Sequence, residues 1–530
     1  MRKIVQSLLV LIFSTAIANG QEYKLPAEIS WGEELKEPTG SSLSKIIAAG
    51  SYGFYALRLK TTKITNEDQA FVEFYNSDMK LKRSQKLDLK YKGKKRDFED
   101  MVMVGGSIYL LTSFNNEAKK KNYLFLQKLS DRLIPSRELE LIGEIDTRNK
   151  YREGGFDLIL SRDSSKVLVY NQLPYQRNEP ERFTLRVFNN QFESMWTKDI
   201  ALPYSDDHFS VEEYQVDKEG NVYLLGVHFQ DKYRVRRQGK PTYTYSVLAY
   251  TNAGADFEEY RIDLTDKFVT DLTFRVADDG NLICSGFYSD KGTYSIKGTY
   301  FFRLDAKSKE VYNVNLKPFD FEFLTEYMSQ GQKNRAQRAE ESGNANRSTE
   351  LYRYALNDLI LRSDGGAVLV AEQYYIYERS YRDYTGAIYS DYFYNYNDII
   401  VVNIRPNGEI EWATRIPKRQ ETLNDGGYFS SYAMAIVRDK IYFIYNDNAR
   451  NFGQENENRR RLYNFNGRYS VVALAEIRID GSLSTFPLFT NRDADILTRP
   501  KICKQTGSRR MMVYGERGRQ YRFANLKFTD

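Results

Sequence analysis

One segment that occurs twice constrains this chain more than any other feature. Val216-Asp217-Lys218-Glu219-Gly220-Asn221-Val222-Tyr223-Leu224-Leu225-Gly226 recurs as Val276-Ala277-Asp278-Asp279-Gly280-Asn281-Leu282-Ile283-Cys284-Ser285-Gly286. Each copy reads as a tight Asp/Gly/Asn turn followed by a short apolar strand that ends in glycine. Looser copies lie at 53–57, 105–112, 166–170, 364–371, 439–445 and 508–515. Aligned on Tyr223, the equivalent residues are Tyr55, Tyr109, Leu168, Ile283, Val368, Tyr442 and Met512, so successive steps are 54, 59, 55, 60, 85, 74 and 70 residues. Repeats of a β-helix are shorter, and separate sandwich domains would not share one motif so evenly. A unit of this length is that of a propeller blade.

A second aromatic and β-branched run follows each copy, as in Tyr245 to Tyr250, Tyr300 to Leu304 and Val471 to Ile477. Turn residues such as Asn252-Ala253-Gly254 and Pro406-Asn407-Gly408 come next, and then an amphipathic strand such as Glu259 to Leu264. Near-continuous apolar runs suit strands covered on both faces by neighbouring sheets, and alternating ones suit a half-exposed rim. The expected fold is therefore all-β: a single β-propeller spanning 21–530, of eight four-stranded blades, or seven if the degenerate first or third copy is misassigned. The last copy ends at Asp530 without an outermost strand, and Ile29 to Leu35 has the pattern of that strand. The N-terminal strand is expected to complete the last blade and close the ring, burying sheet edges that otherwise invite aggregation.

The pattern Asp217-x-x-Gly220-Asn221-x-Tyr223-x-x-Gly226, with its copy at 277–286, resembles the repeats of secreted bacterial β-propellers of the seven-bladed repeat type. The resemblance covers two copies well and the other six loosely, and it concerns the fold alone. It implies a binding or scaffolding protein, since such families are mostly that, with enzymes among other propellers.

The first twenty residues read as a signal peptide. Arg2 and Lys3 precede an apolar run from Leu8 to Ile17, and small residues at Ala16, Ala18 and Gly20 offer cleavage after Ala18 or Gly20. The run is shorter than a membrane span requires, and no later stretch is long and apolar enough to be one. The mature chain is expected outside the cytoplasm, in the periplasm, at the cell surface or beyond, as a monomer or as part of an envelope complex. With only Cys284 and Cys503, assigned to different blades, it must fold on its core rather than on disulfides, and both thiols are expected free. Its formal charge of +6 falls to +4 without Arg2 and Lys3, too little to imply nucleic acid. The unusual quantity is 42 Tyr and 31 Phe, which favours strands and extended contact surfaces.

Two insertions interrupt the regular step. The first, 322–350, carries few large apolar residues and reads as a mobile loop with a short helix from Arg335 to Glu341. The second, 374–397, holds nine tyrosines, among them Tyr374, Tyr375 and Tyr377, and reads either as rigid aromatic-polar surface suited to a protein or polysaccharide partner or as a long hairpin decorated with strand-forming residues. These insertions point to the sixth and seventh blades as the place to look for a partner.

Catalytic chemistry is harder to find. His208 and His228 are the only histidines, which excludes a three-histidine zinc site, and no Gly-x-Ser-x-Gly elbow is present. His228, just past an apolar strand, reads as structural. No catalytic residue and no metal ligand set is assigned. Glu372, Asp398 and Asp447 stand near strand ends of the irregular blades. Their ordinary reading is solvated turn carboxylates. Their functional readings are ligand binding, an acid pair of a carbohydrate-active hydrolase or lyase at the axial mouth, or Ca²⁺ held at Asn446-Asp447-Asn448. Basic runs occur at 92–96, 119–121, 234–237 and 459–461. The first two and the last, in loops between strands, read as charge that keeps the surface soluble, and runs clustered on one face would suit an acidic polysaccharide or membrane surface. The leading expectation is a binding or scaffold propeller.

Overall fold

The repeated turn shows why the chain reverses where it does. In the computed structural model, Asp217 Oδ1 accepts the Asn221 backbone N–H at 2.8 Å, and its Oδ2 accepts the Asn221 side-chain amide at 2.8 Å. Gly220 sits between them at φ +91°, a conformation that costs an L side chain but not glycine. In the second copy Ala277 stands where Asp217 does, and Asp279, one residue before Gly280 at φ +84°, accepts the Asn281 N–H at 3.0 Å instead. The apolar strand that follows, Val222–Phe229, is the second of four in an antiparallel meander between Phe209–Val216 and Tyr243–Thr251, with Asp256–Ile262 outermost.

The structure describes residues 16–18, 21–23, 25–62, 67–147, 154–174, 179–205, 207–230, 236–237, 240–262, 267–292, 295–305, 308, 310–343, 349–382, 388–452, 460–463 and 468–529. Among them, seven four-stranded antiparallel sheets follow one another over 41–86, 97–146, 155–205, 209–262, 268–318, 354–423 and 433–490. An eighth sheet is built on 497–528. Every residue aligned with Tyr223 falls on the strand after its sheet's first turn.

In that eighth sheet, Gln520–Phe528 pairs on its outer side with Ala27–Trp31, running from Ala27 opposite Phe528 to Trp31 opposite Ala524. The strand begins two residues before the expected segment, and Leu35–Lys36 makes a separate short bridge to Tyr521 and Gln520. The signal-peptide reading falls on residues 1–20, of which 1–15 and 19–20 lie outside the described residues. Ala16–Ala18 pairs with Gln21–Tyr23. No helix among the described residues is long and apolar enough to cross a membrane.

Core formation follows from burial on both faces of the middle strands: every residue of Leu282–Ser289 and of Ser470–Ile477 is buried, whereas outermost Val311–Pro318 is mostly exposed. The buried faces meet between consecutive sheets. Phe274 and Tyr300 of the fifth pack on Leu225 and Val247 of the fourth, and Phe54 of the first packs on Phe523 of the eighth. First strands of neighbouring sheets touch one another, as Phe268–Val276 touches Tyr354–Leu361. Sheets set face to face, with first strands converging and last strands outermost, make a β-propeller.

The first insertion differs from expectation and the second follows one of its two readings. Rather than a mobile loop, 322–343 folds as helix α1, Phe321–Thr325, and helix α2, Gln330–Glu341, and 344–348 of this insertion lie outside the described residues. The helix read at Arg335 to Glu341 extends five residues further toward its N-terminus, because Gln332 Oε1 accepts the Ser329 N–H at 2.9 Å in a capping box. Buried Leu324 and Ala336 and the Lys297–Glu340 ion pair at 3.3 Å dock the pair onto the propeller. The segment 374–397 takes the second of its two readings, a long hairpin, over its described residues, 374–382 and 388–397. It prolongs two strands of the sixth sheet, Ala367–Arg382 and Ile388–Ile404, whose pairing runs out to Arg382 opposite Ile388. Tyr384 lies outside the described residues.

The basic runs are corrected in part. Arg96 is buried and donates to Thr112 Oγ1 at 2.6 Å and Gln127 Oε1 at 2.9 Å, so it joins strands of the second sheet instead of facing water. Arg460 is likewise drawn inward. Residues 231–235 and Arg459 lie outside the described residues. Cys284 and Cys503 are free.

Candidate ligand-binding surface

Glu372, Asp398 and Asp447 are brought together around one lysine, Lys418. Lys418 Nζ donates to Glu372 Oε1 at 2.7 Å and to the Tyr396 carbonyl at 2.8 Å, and both charged side chains are buried. The other Glu372 oxygen accepts from Ser431 Oγ at 2.7 Å. Asp398 accepts from Arg415 Nη2 at 2.7 Å and from the Lys418 backbone N–H at 3.1 Å. Asp447, fully buried, accepts from the Asn448 N–H at 2.8 Å, Asn451 Nδ2 at 2.7 Å and Arg460 Nη2 at 3.1 Å. Burial pushes the Asp447 carboxyl up while Arg460 pulls it down, and burial holds the Lys418 ammonium below the usual lysine range.

The reading of these carboxylates as solvated turn residues is therefore overturned. Lys418 and Arg415, which do not stand out in the sequence, and Arg460, from the basic run 459–461, take each of them as a partner. Such a paired interior network holds the sixth and seventh sheets in place, and its acceptors are already occupied.

The tyrosines face outward. Tyr374 lies half-buried against Tyr396, ring centroids 4.7 Å apart. Tyr375 lies beside Arg353, whose guanidinium sits 5.9 Å from its ring and 5.1 Å from that of Tyr352. Tyr377 is 57% exposed and shares a face of the hairpin with Phe393, Tyr381 and Tyr389, the last two stacked at 5.9 Å. Leu423 of the adjoining strand is paired with Phe393 and exposed on the same face. Alternation along paired strands places these residues together.

At the foot of the hairpin lies a cavity of about 340 Å³ lined by Asp271, Ile296, Arg353, Tyr354, Tyr374 and Tyr375. Arg353 holds φ +54° there, a conformation few non-glycine residues adopt. Asp271 accepts the backbone N–H groups of Leu272 at 3.0 Å and Leu356 at 2.9 Å, the latter from the next sheet. Burial pushes its carboxyl up to about 6, against those two bonds.

A larger cavity, about 630 Å³, opens among the first strands of the third to sixth sheets. Arg275 at its wall donates Nη1 to Glu213 at 2.7 Å and Nη2 to Asp358 at 3.1 Å. The sequence carried an unused signal here. Lys45, Glu213 and Asp358 each lie ten residues before the aligned Tyr55, Tyr223 and Val368. Glu213, Asp271 and Asp358 each follow a register shift in their first strand, a bulge that re-aims a side chain.

His228 is packed as expected of a structural residue, between Tyr204 and Phe209, 2.8 Å from Ser246 Oγ and 3.2 Å from Glu259. Among the described residues no group of three or more His, Cys, Asp or Glu is arranged to hold a metal.

No family model matches the chain, and no curated protein sequence matches it. Among solved structures it is similar to the WD40 domain of SCAP from fission yeast, at 7% identity and TM-score 0.38 over 95% of each chain. It is also similar to the sucrose-6-phosphate hydrolase from Lactobacillus gasseri, at 9% identity and TM-score 0.27 over 95% of this chain and 93% of that one. The Bombyx mori GH32 β-fructofuranosidase BmSUC1 stands at 10% identity and TM-score 0.26, over 93% and 91%. At these levels the fold rests on the order of the sheets.

Proposed function

We propose that this protein is an exported propeller that binds or scaffolds a protein or glycan partner through the hairpin of its sixth sheet. The observation that carries the reading is the tyrosine-lined extension. Two strands run past the sheet into solvent and, with the end of the adjoining strand, present Tyr377, Tyr381, Tyr389 and Leu423 on one face. A contiguous exposed aromatic face is costly in water, and tyrosine offers contact area with little rotamer entropy to lose. The charge pattern of the N-terminus supports export. The same proposal takes the eight sheets as the blades of one ring closed by Ala27–Trp31. It is supported by clusters that join each sheet to the next and the eighth to the first.

The test is to replace Tyr377–Tyr394 by a tight turn and measure capture of partners cross-linked to the full-length protein. The expected outcome is loss of capture with an unchanged melting temperature, and capture that survives the deletion counts against the reading. A second reading, hydrolysis or lysis of a glycan, draws support from Glu213 and Asp358 on the axial cavity wall. It requires release of new chain ends from a polysaccharide, abolished by Glu213→Gln, and the binding reading requires neither.

A further inference from the structure

The hairpin has an edge as well as a face. The first strand of the sixth sheet, Tyr354–Leu361, pairs with Ala367–Arg382 only as far as Tyr354 opposite Gln373. Tyr374 makes one further bond on that side, its N–H donating to the Arg353 carbonyl at 3.0 Å. Beyond it, among the described residues, no strand lies along Tyr375 to Arg382, and residues 376–382 are all exposed.

Backbone direction alternates along a strand. Because Tyr374 turns its N–H to the outer side, Ile376, Glu378, Ser380 and Arg382 do so too, each with its N–H and C=O. The opposite strand agrees. Tyr392, paired with Glu378, turns both of its backbone groups away toward Asn424, exchanging bonds of 2.8 Å with its side chain and 2.9 Å with its N–H. Among the described residues the edge is thus a row of donors and acceptors that face solvent at strand spacing, with no backbone partner on that side. It is flanked on one side by Tyr375, Tyr377 and Tyr381 and leads into the cavity over Asp271.

We infer that this edge, Ile376 to Arg382, receives an extended segment of another polypeptide as an added strand, with one end of that segment entering the cavity. Only a peptide backbone repeats N–H and C=O groups in register with the edge, and a glycan has no such row. A second copy of this chain fits less well. The antiparallel self-pairing that uses all four outward residues sets Arg379 against Arg379, like charges directly opposed. Shifting the register to match Glu378 with Arg382 shortens the contact and leaves the cavity unfilled. The segment therefore belongs to a partner and carries apolar side chains at alternate positions to lie on the tyrosine face. The inference rests on the hairpin being the partner surface.

The test uses random linear peptides about ten residues long displayed on phage, panned on the full-length protein and counter-selected on Ser380→Pro. Proline at 380 removes an outward N–H and blocks the edge while sparing the ladder to Ile388–Ile404, as prolines on edge strands do. Selected peptides, made synthetically, are expected to lose more than about tenfold in affinity for Ser380→Pro and less than about twofold for Ser380→Ala. N-methylation of their backbone at alternate residues should abolish binding in one parity only. Equal binding to the proline variant with its melting temperature unchanged, or indifference to N-methylation, overturns the inference. Dimerisation abolished by Ser380→Pro also overturns it and assigns the edge to a second copy. If deleting Tyr377–Tyr394 removes partner capture while Ser380→Pro does not, the hairpin reading stands and strand addition falls.

Discussion

At the residue scale, Asp271 shows how burial turns a carboxylate into a pH-dependent element of the fold. In the folded chain it keeps its proton up to about 6, against 3.8 when unperturbed. Below both values the proton is bound in either state and the group contributes no difference. As pH rises from 3.8 toward 6 the unfolded chain releases its proton first, so the folded state loses stability across that window. The full penalty, on the order of 2–3 kcal/mol, is present at neutral pH. Asp271→Asn should remove this slope, as seen in urea unfolding at about pH 4 and about pH 7, and an unchanged slope would refute the assignment. Nothing in the local sequence marks this residue as buried. The same holds for Glu372, whose partner Lys418 is 46 residues away along the chain.

At the element scale, the repeated motif is legible because each of its residues answers a local demand. Its final glycine answers one that is not local. A Cβ built on Gly286 would stand 2.0 Å from the carbonyl of Asp271 on the neighbouring first strand, and one on Gly226 would stand 2.3 Å from the ring of Phe209. Gly286→Ala should therefore cost about 1–3 kcal/mol, read as a lower urea midpoint with the slope unchanged. Alanine without penalty there would show that the strands do not approach so closely. Helix α2 was legible only at its C-terminal half, since a capping box at Ser329 and Gln332 has no apolar periodicity to announce it. The hairpin was legible only as one of two readings because its tyrosines occur on both faces and so hide the period of two that marks a strand.

At the scale of the whole molecule, strands about 500 residues apart along the chain are paired. Ala27–Trp31 covers the outer edge of Gln520–Phe528, with Trp31 against Phe489 at 5.1 Å and beneath the Arg522 guanidinium at 5.2 Å. A chain that begins at Gly32 should melt lower by on the order of 5 °C and associate through the bared strand. An unchanged melting temperature would count against the proposed closure of the ring by this strand. What the sequence determined by itself was the repeating unit, since turn chemistry and the apolar strand after it act between residues a few positions apart. From that unit the all-β class and the strand after each turn could be read directly. Only the tertiary structure decided which carboxylates meet Lys418, Arg415, Arg460 and Arg275, and that the edge from Ile376 to Arg382 stays open. Those outcomes depend on bulges, register and the approach of sheets far apart in sequence, where side chains become partners through the folded geometry alone.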